Sequence, residues 1–264
     1  MSVLAGKRIV VTRPEAQAGG LCQGLEKKGA NVIRCPTIRV EPVESYDRLD
    51  AALARLGEYR WVIFTSSNGV RAVLSRMAEL GLPSEILDGT RVAAVGTATA
   101  RTLEAQGVPA GFLPQVERSA AIADSLVPVE GEHVLLLRAD IADPAVAEVL
   151  RSRGAALVDD VPVYRTVSLP PTPEALLELR LGVDGITFTS PSTVRGFLGA
   201  GPEWPGLLDG VVVASLGPAT TDAVRAEGIK IDVEAVERSM TGLVQALEAA
   251  FASRSGRVDE ESVE

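Results

Sequence analysis

The chain repeats itself, and the spacing of the repeat limits what it can fold into. Phe64-Thr-Ser-Ser-Asn-Gly-Val-Arg-Ala-Val-Leu74 returns 124 positions on as Phe188-Thr-Ser-Pro-Ser-Thr-Val-Arg-Gly-Phe-Leu198. Val92-Ala-Ala-Val-Gly-Thr-Ala-Thr-Ala100 returns 121 positions on as Val213-Ala-Ser-Leu-Gly-Pro-Ala-Thr-Thr221. Glu117-Arg118-Ser119 recurs as Glu237-Arg238-Ser239 at an offset of 120, and Arg13, Gly29 and Pro36 pair with Arg138, Gly154 and Pro162 at 125 or 126. Four matches in one order at nearly one spacing indicate two similar units made by duplication.

Each unit alternates short β-branched runs with longer Ala/Leu/Glu/Arg stretches of helical period. The candidate strands are Arg8–Thr12, Asn31–Arg34, Trp61–Thr65, Arg91–Val95, His133–Leu137, Leu157–Val163, Gly185–Thr189 and Val211–Leu216. Near-continuous apolar strands followed by amphipathic helices predict parallel sheets covered on both faces, an α/β class. Two layouts fit the repeat. Contiguous halves would divide near Pro128–Gly131. Alternatively, two extended linkers, Thr37–Val43 and Tyr164–Pro171, would make the central stretch one domain and join both chain ends into the other; the Pro170-Pro171 stop leans the reading this way. The polar tail after Ser253 reads as frayed.

Composition removes several function classes. The chain has 264 residues, enough for two domains, and a formal charge of −9, which repels phosphate backbones and anionic membranes. Cys22 and Cys35, the two cysteines, have no CxxC spacing, so neither a disulfide framework nor a zinc cluster is expected. A single histidine, His133, leaves no His-rich metal site and few nucleophile–histidine schemes, and it reads as a surface residue. GxGxxG, GxxxxGK[ST] and GxSxG are all missing. The N-terminus lacks the features of a signal peptide and no run reaches the ~20 apolar residues of a membrane span, so the expected address is cytoplasmic.

What stands out is four strand-to-helix turns of one kind: Thr65-Ser66-Ser67-Asn68-Gly69, Gly96-Thr97-Ala98-Thr99, Thr189-Ser190-Pro191-Ser192-Thr193 and Gly217-Pro218-Ala219-Thr220-Thr221. Each lies at the carboxyl end of a candidate strand, where open α/β sheets bind ligands, and each opens a helix whose first N–H groups favour an anion. Ser and Thr as plain helix caps explain any one turn. Four matched turns, two per unit, point instead to a shared polar cleft. Arg13 and Arg138 end matching strands, and their guanidinium groups suit carboxylates. Arg71, Arg101 and Arg195 fall inside helices, where a solvated face explains them. Trp61 and Trp204 read as packing residues. Tyr164, on the second linker, is either an amphipathic linker residue or a proton donor; a phenol with an ordinary pKa near 10 is a poor base but a usable acid.

The Phe-Thr-Ser segments at Phe64 and Phe188, the glycine turns at Gly96 and Gly217, and Val161-Pro-Val-Tyr-Arg-Thr166 together resemble the uroporphyrinogen-III synthase family over roughly residues 7 to 250. The resemblance implies two similar flavodoxin-like parallel-sheet domains joined by a two-stranded connector, divided as 1–38 with 168–264 and 39–167. It implies a cofactor-free, metal-free lyase of porphyrin, tetrapyrrole and heme biosynthesis. Such an enzyme closes hydroxymethylbilane to uroporphyrinogen III in an interdomain cleft, losing water and inverting ring D through an azafulvene cation and a spiro intermediate. Tyr164 then becomes the candidate to assist hydroxyl departure. Ser66, Ser67, Gly96, Thr97, Thr99, Ser190, Ser192, Gly217 and Thr220 become candidate binders of the eight substrate carboxylates, with Arg13 and Arg138 added from strand-end position alone. Ser67 departs from the family's pattern, which carries proline there, as Pro191 does in the second copy. Two-domain symmetry within one chain predicts a monomer, with a small-molecule substrate and neither nucleic acid nor membrane as partner. The alternatives are a two-domain solute-binding protein for an anionic ligand and, less well supported, a two-domain glycosyltransferase.

Overall fold

The computed structural model describes residues 2–116, 119–201 and 204–261, so Glu117 and Arg118 of the repeated triplet lie outside the described residues. The chain begins with β1 (Arg8–Val11), α1 (Glu15–Lys27), β2 (Asn31–Arg34), β3 (Ile38–Glu41) and α2 (Asp47–Ala54). It continues through β4 (Trp61–Phe64), α3 (Ser67–Glu79), β5 (Arg91–Ala94), α4 (Thr97–Glu104), α5 (Ser119–Ser125), β6 (His133–Ala139), α6 (Ala145–Ser152) and β7 (Leu157–Ser168). The last stretch holds α7 (Pro173–Arg180), β8 (Gly185–Phe188), α8 (Pro191–Leu198), β9 (Val212–Ser215), α9 (Pro218–Ala226), β10 (Val233–Glu234) and α10 (Met240–Glu261). Both expected linkers carry strand, as β3 and the far half of β7. The tail expected to fray continues α10 to Glu261; its Arg, Asp and Glu residues tolerate helix, and one glycine costs only about 1 kcal/mol.

The strands form two sheets, ordered β10-β9-β8-β1-β2 and β3-β7-β6-β4-β5. Alternate residues of each strand feed different cores. Val62, Phe64, Leu135 and Leu137 pack on one face of the second sheet. Trp61, Ile63, Val134 and Leu136 pack on the other. In the first sheet Ile9, Val11, Val212 and Ala214 face one core, and Val10, Ile186, Phe188 and Val213 the other. Burial on both faces is what makes these strands continuously apolar, and each large side chain contributes roughly 1.5–3 kcal/mol. The first sheet has the flavodoxin-like order 2-1-3-4-5 when its strands are counted along the chain. The second has the same order with its chain sequence permuted: β7-β6-β4-β5 correspond to β2-β1-β8-β9, and the bridge between Ala93 and Phe112 takes the place of β10.

Contacts divide the chain into two compact units, Met1–Arg39 with Val167–Glu264, and Val40–Thr166. In the first unit, the segment leaving β2 is clamped by α8. Thr37 Oγ1 donates to the Thr193 carbonyl at 2.9 Å, and the Thr37 carbonyl accepts the Leu169 N–H at 2.9 Å. Gly196 permits this approach: a Cβ there would sit 2.4 Å from the Thr37 oxygen. Trp61 and Trp204 are buried, as packing residues should be, and Trp61 Nε1 donates to the Pro128 carbonyl at 2.8 Å. Cys22 and Cys35 are free and fully buried, and burial pushes the Cys35 thiol up to about 11. His133 is half-buried rather than a plain surface residue, because it enters β6 between two neighbouring strands. Among the described residues no helix is long and apolar enough to cross a membrane.

Replacing Gly196 with alanine forces backbone against backbone, so Gly196→Ala should lose about 3 kcal/mol in urea unfolding. Gly19→Ala, at an exposed helical position with nothing near the new methyl, should gain about 0.5–1 kcal/mol. A Gly196→Ala variant as stable as the parent would show that α8 is not seated on the Thr37 carbonyl.

Candidate functional site

All four turns stand at carboxyl ends of parallel strands, as the alternation of strand and helix requires. In the second unit, β4 ends at Phe64 and the chain turns through Ser66, whose extended backbone (φ −156°, ψ 155°) starts α3. Ser66 Oγ accepts the Gly69 N–H at 3.1 Å, the expected serine cap. The neighbouring turn opens α4 at Gly96, which has no side chain to cap the helix. Ser67 links the two turns: its Oγ donates to the Ala98 carbonyl at 3.1 Å and lies 3.0 Å from Thr102 Oγ1. Thr97 is half-buried beside it, and Thr99 is buried in the first turn of α4.

Tyr164 comes to the same place from β7. Its hydroxyl lies 2.9 Å from Ser66 Oγ, with either atom able to donate. The ring is 8% exposed and packs in the core under α3. Burial pushes the phenol above its ordinary value, and the nearby Asp140 carboxylate adds to this. Ser66, Asn68 and Arg71 pull in the other direction without reversing the shift. The result is a phenol held protonated, next to a hydroxyl at a helix N-terminus. Arg71 is exposed and donates to Asn68 Oδ1 at 2.7 Å, which brings a cation to the mouth of this cluster.

The first unit repeats the scaffold with different occupants. Ser190 caps α8 in a reciprocal box with Thr193, and Ser190 Oγ lies 2.8 Å from Ser192 Oγ. Gly217 opens α9 in a fully extended conformation, again without a side-chain cap. The Arg238 side chain lies against it, 3.4 Å from where a Cβ would stand. Thr220 and Thr221 are buried, Thr221 Oγ1 bonding Ser215 Oγ at 2.6 Å and the Glu234 carboxylate. Both glycine turns start a helix with no side-chain cap from the glycine and bury a threonine in the first turn (Thr99, Thr220). They differ at the next position: Thr97 has a backbone N–H there, whereas Pro218 has none and the Thr220 N–H donates to the Gly217 carbonyl at 3.0 Å. Uncapped first-turn amides are anion binders by virtue of partial positive charge.

The two arginines chosen from strand-end position fare differently. Arg138 is nearly buried and paired. Its Nε and Nη2 both bond the Asp160 carboxylate and its Nη1 bonds the Ala142 carbonyl, at 9% exposure. Each of its three nitrogens is thus engaged in joining β6 to β7 and the following loop. Arg13 remains half-exposed, with Nε donating to the Gln17 carbonyl at 2.9 Å. Asn68 and Asp140 were not singled out from the sequence, although both stand beside Tyr164; Asp140 sits two residues after Arg138, at the end of a strand, which is where ligand-side residues of such sheets lie. Among the described residues no cluster of His, Cys, Asp and Glu could hold a metal ion.

A family model described as uroporphyrinogen-III synthase HemD matches residues 20–245. A uroporphyrinogen-III synthase of Synechococcus elongatus is 34% identical over 258 residues, covering 93% of this chain and 96% of the relative. One from Chlorobaculum parvum is 32% identical over 238 residues, covering 86% and 92%. Crystal structures of uroporphyrinogen III synthases share the fold: a mutant form from Thermus thermophilus superposes with a TM-score of 0.72 at 21% identity over 94% of this chain and 100% of that one. A Helicobacter pylori enzyme does so at 0.56 and 20% identity, over 92% and 99%.

The bond between Ser66 and Tyr164 sets a titration. Removing it in Ser66→Ala takes away a partner that lowers the phenol's pKa, so Tyr164 should ionise at still higher pH. Tyrosinate absorbance, read as the difference between Ser66→Ala and Ser66→Ala/Tyr164→Phe, measures it; ionisation at lower pH than in the parent would contradict the geometry. The lost cap should also cost about 1 kcal/mol of stability.

Proposed function

The chain belongs to the uroporphyrinogen-III synthase family, and from that premise we propose how its residues close hydroxymethylbilane to uroporphyrinogen III. The enzyme is a lyase-type cyclase of porphyrin biosynthesis, and membership of this family disfavours the solute-binding reading. The observation that carries the residue assignment is the buried Tyr164 phenol, 2.9 Å from Ser66 at a helix N-terminus.

Hydroxymethylbilane carries eight carboxylates, and an acidic chain must hold them without a dense cationic patch. In this reading the helix N-termini at Gly96 and Gly217, the turn hydroxyls of Ser66, Thr97, Ser190 and Ser192, and the buried Thr99 and Thr220 accept them, aided by Arg13 in one unit and Arg71 in the other. Amide dipoles supply the neutralisation. Ser67, engaged with Ala98, positions the two turns of its unit.

Tyr164 gives its proton to the departing hydroxyl of the hydroxymethyl group, carried by the pyrrole at the opposite end of the bilane from ring D. The hydroxyl leaves as water and generates the azafulvene cation. The substituted α-carbon of ring D attacks this cation to give the spiro intermediate, and its original bond to the neighbouring methylene breaks. The unsubstituted α-carbon of ring D then forms the new bond to that methylene and loses the proton that restores Tyr164, so the net change is loss of one water. A phenol raised above its ordinary value stays protonated at neutral pH, ready for this step. The bound conformation of the bilane decides which ring-D carbon attacks the cation, and hence isomer III over the spontaneous isomer I. The reading includes a cytoplasmic monomer working on a small molecule without nucleic acid or membrane, supported by the charge of −9.

Hydroxymethylbilane generated in situ, followed by oxidation and chromatographic separation of isomers, tests the reaction; mainly isomer III is expected, and only isomer I at the spontaneous rate would overturn it. Tyr164→Phe should lower turnover about five- to tenfold, the rate equivalent of one neutral hydrogen bond, while keeping isomer III as product. Unchanged turnover would remove Tyr164 from the chemistry.

A further inference from the structure

β7 breaks its own alternation just before the phenol. Val161 and Val163 face the core under α3, so Tyr164 should face the opposite side of the sheet. It packs in the same core as its two predecessors instead. The register accounts for this: Arg138 lies opposite Pro162, but Ala139 lies opposite Tyr164, leaving Val163 as an extra residue. Pro162 has no N–H to continue the ladder, and a one-residue slip turns every later side chain over.

A slipped strand end needs something to hold it, and Asp140 supplies three bonds. Its N–H donates to the Tyr164 carbonyl at 3.1 Å. Its Oδ1 accepts the Thr166 N–H at 2.9 Å, beyond the tyrosine, and the Ile141 N–H at 2.9 Å within its own loop. The other copy lacks the device. There Glu15 stands at the corresponding offset and pairs with the Arg34 side chain at 2.6 Å, and Ile38 stands where Tyr164 does. On the reading of Tyr164 as proton donor, we propose that Asp140 is a positioning residue whose carboxylate fixes β7 beyond the bulge and so keeps the phenol against Ser66.

Asp140→Ala should lower kcat about fivefold with KM for the bilane unchanged, matching Tyr164→Phe, and the double variant should be no slower than either single one. Asp140→Asn, which keeps an acceptor oxygen, should recover most of the rate. A second readout does not depend on turnover. The chain has three tyrosines, so with ζ-13C-tyrosine the resonance missing from Tyr164→Phe identifies Tyr164. Asp140→Ala should move that resonance while leaving those of Tyr46 and Tyr59, in the same unit, in place as controls for folding. Multiplying rate losses in the double variant, or an unmoved Tyr164 resonance, would overturn the proposal. Were the parent enzyme to give only isomer I, the functional reading would fall, and the resonance alone would still decide the placement.

Discussion

A parallel strand buried on both faces has only its ends left for chemistry. Val62, Phe64, Leu135 and Leu137 fill one core while Ile63 and Leu136 fill another, so no side chain in the middle of these strands can meet a solute. The polar groups the chain needs must therefore gather where strands run out and helices begin. There the backbone itself is a resource, because the first turn of a helix has N–H groups that no carbonyl of the same helix accepts. This explains how a chain of net charge −9 can belong to a family that handles an octacarboxylate. Dipoles at helix N-termini act over a few ångströms, and exposed acidic groups more than a Debye length away are largely screened.

Much of this was legible in the sequence because repetition and periodicity are strong signals. The turns at Ser66, Gly96, Ser190 and Gly217 all start helices within two residues of the expected positions, and the parallel α/β class follows from the same pattern. What the sequence hides is commitment. Arg13 and Arg138 look alike at matched strand ends, yet Arg138 pairs with Asp160, a partner 22 residues away that only the β6–β7 pairing brings near. Ser67 likewise reads as one more outward hydroxyl until α3 and α4 are seen to share it. The bulge at Pro162 was within reach, since proline inside a strand marks an edge or an irregularity, but its effect on the next side chains needs the neighbour strand's register.

The duplicated halves also act as an internal control on what is structural and what is particular. Both copies keep the serine cap and the capless glycine turn, which the scaffold alone can explain. Only one copy carries a phenol at the end of its permuted second strand; the other has Ile38, whose methyl packs toward Gly196. Chemical asymmetry thus comes from a few positions on a similar frame, Tyr164 and Asp140 among them.

The permuted strand order bears on how the chain is born. β1 emerges early, yet its partner β8 is synthesised last of all but two strands: Ile9 pairs with Gly185. Everything from Val40 to Thr166 leaves the ribosome in between and can complete its own sheet first. Because β3 and β7 are neighbours in that sheet, its completion draws the two ends of the inserted stretch together. A closure that would otherwise span most of the chain becomes a short one, with a correspondingly smaller entropy cost. The inserted unit is then a clasp for the discontinuous one, and vectorial synthesis delivers the clasp before the halves it must join.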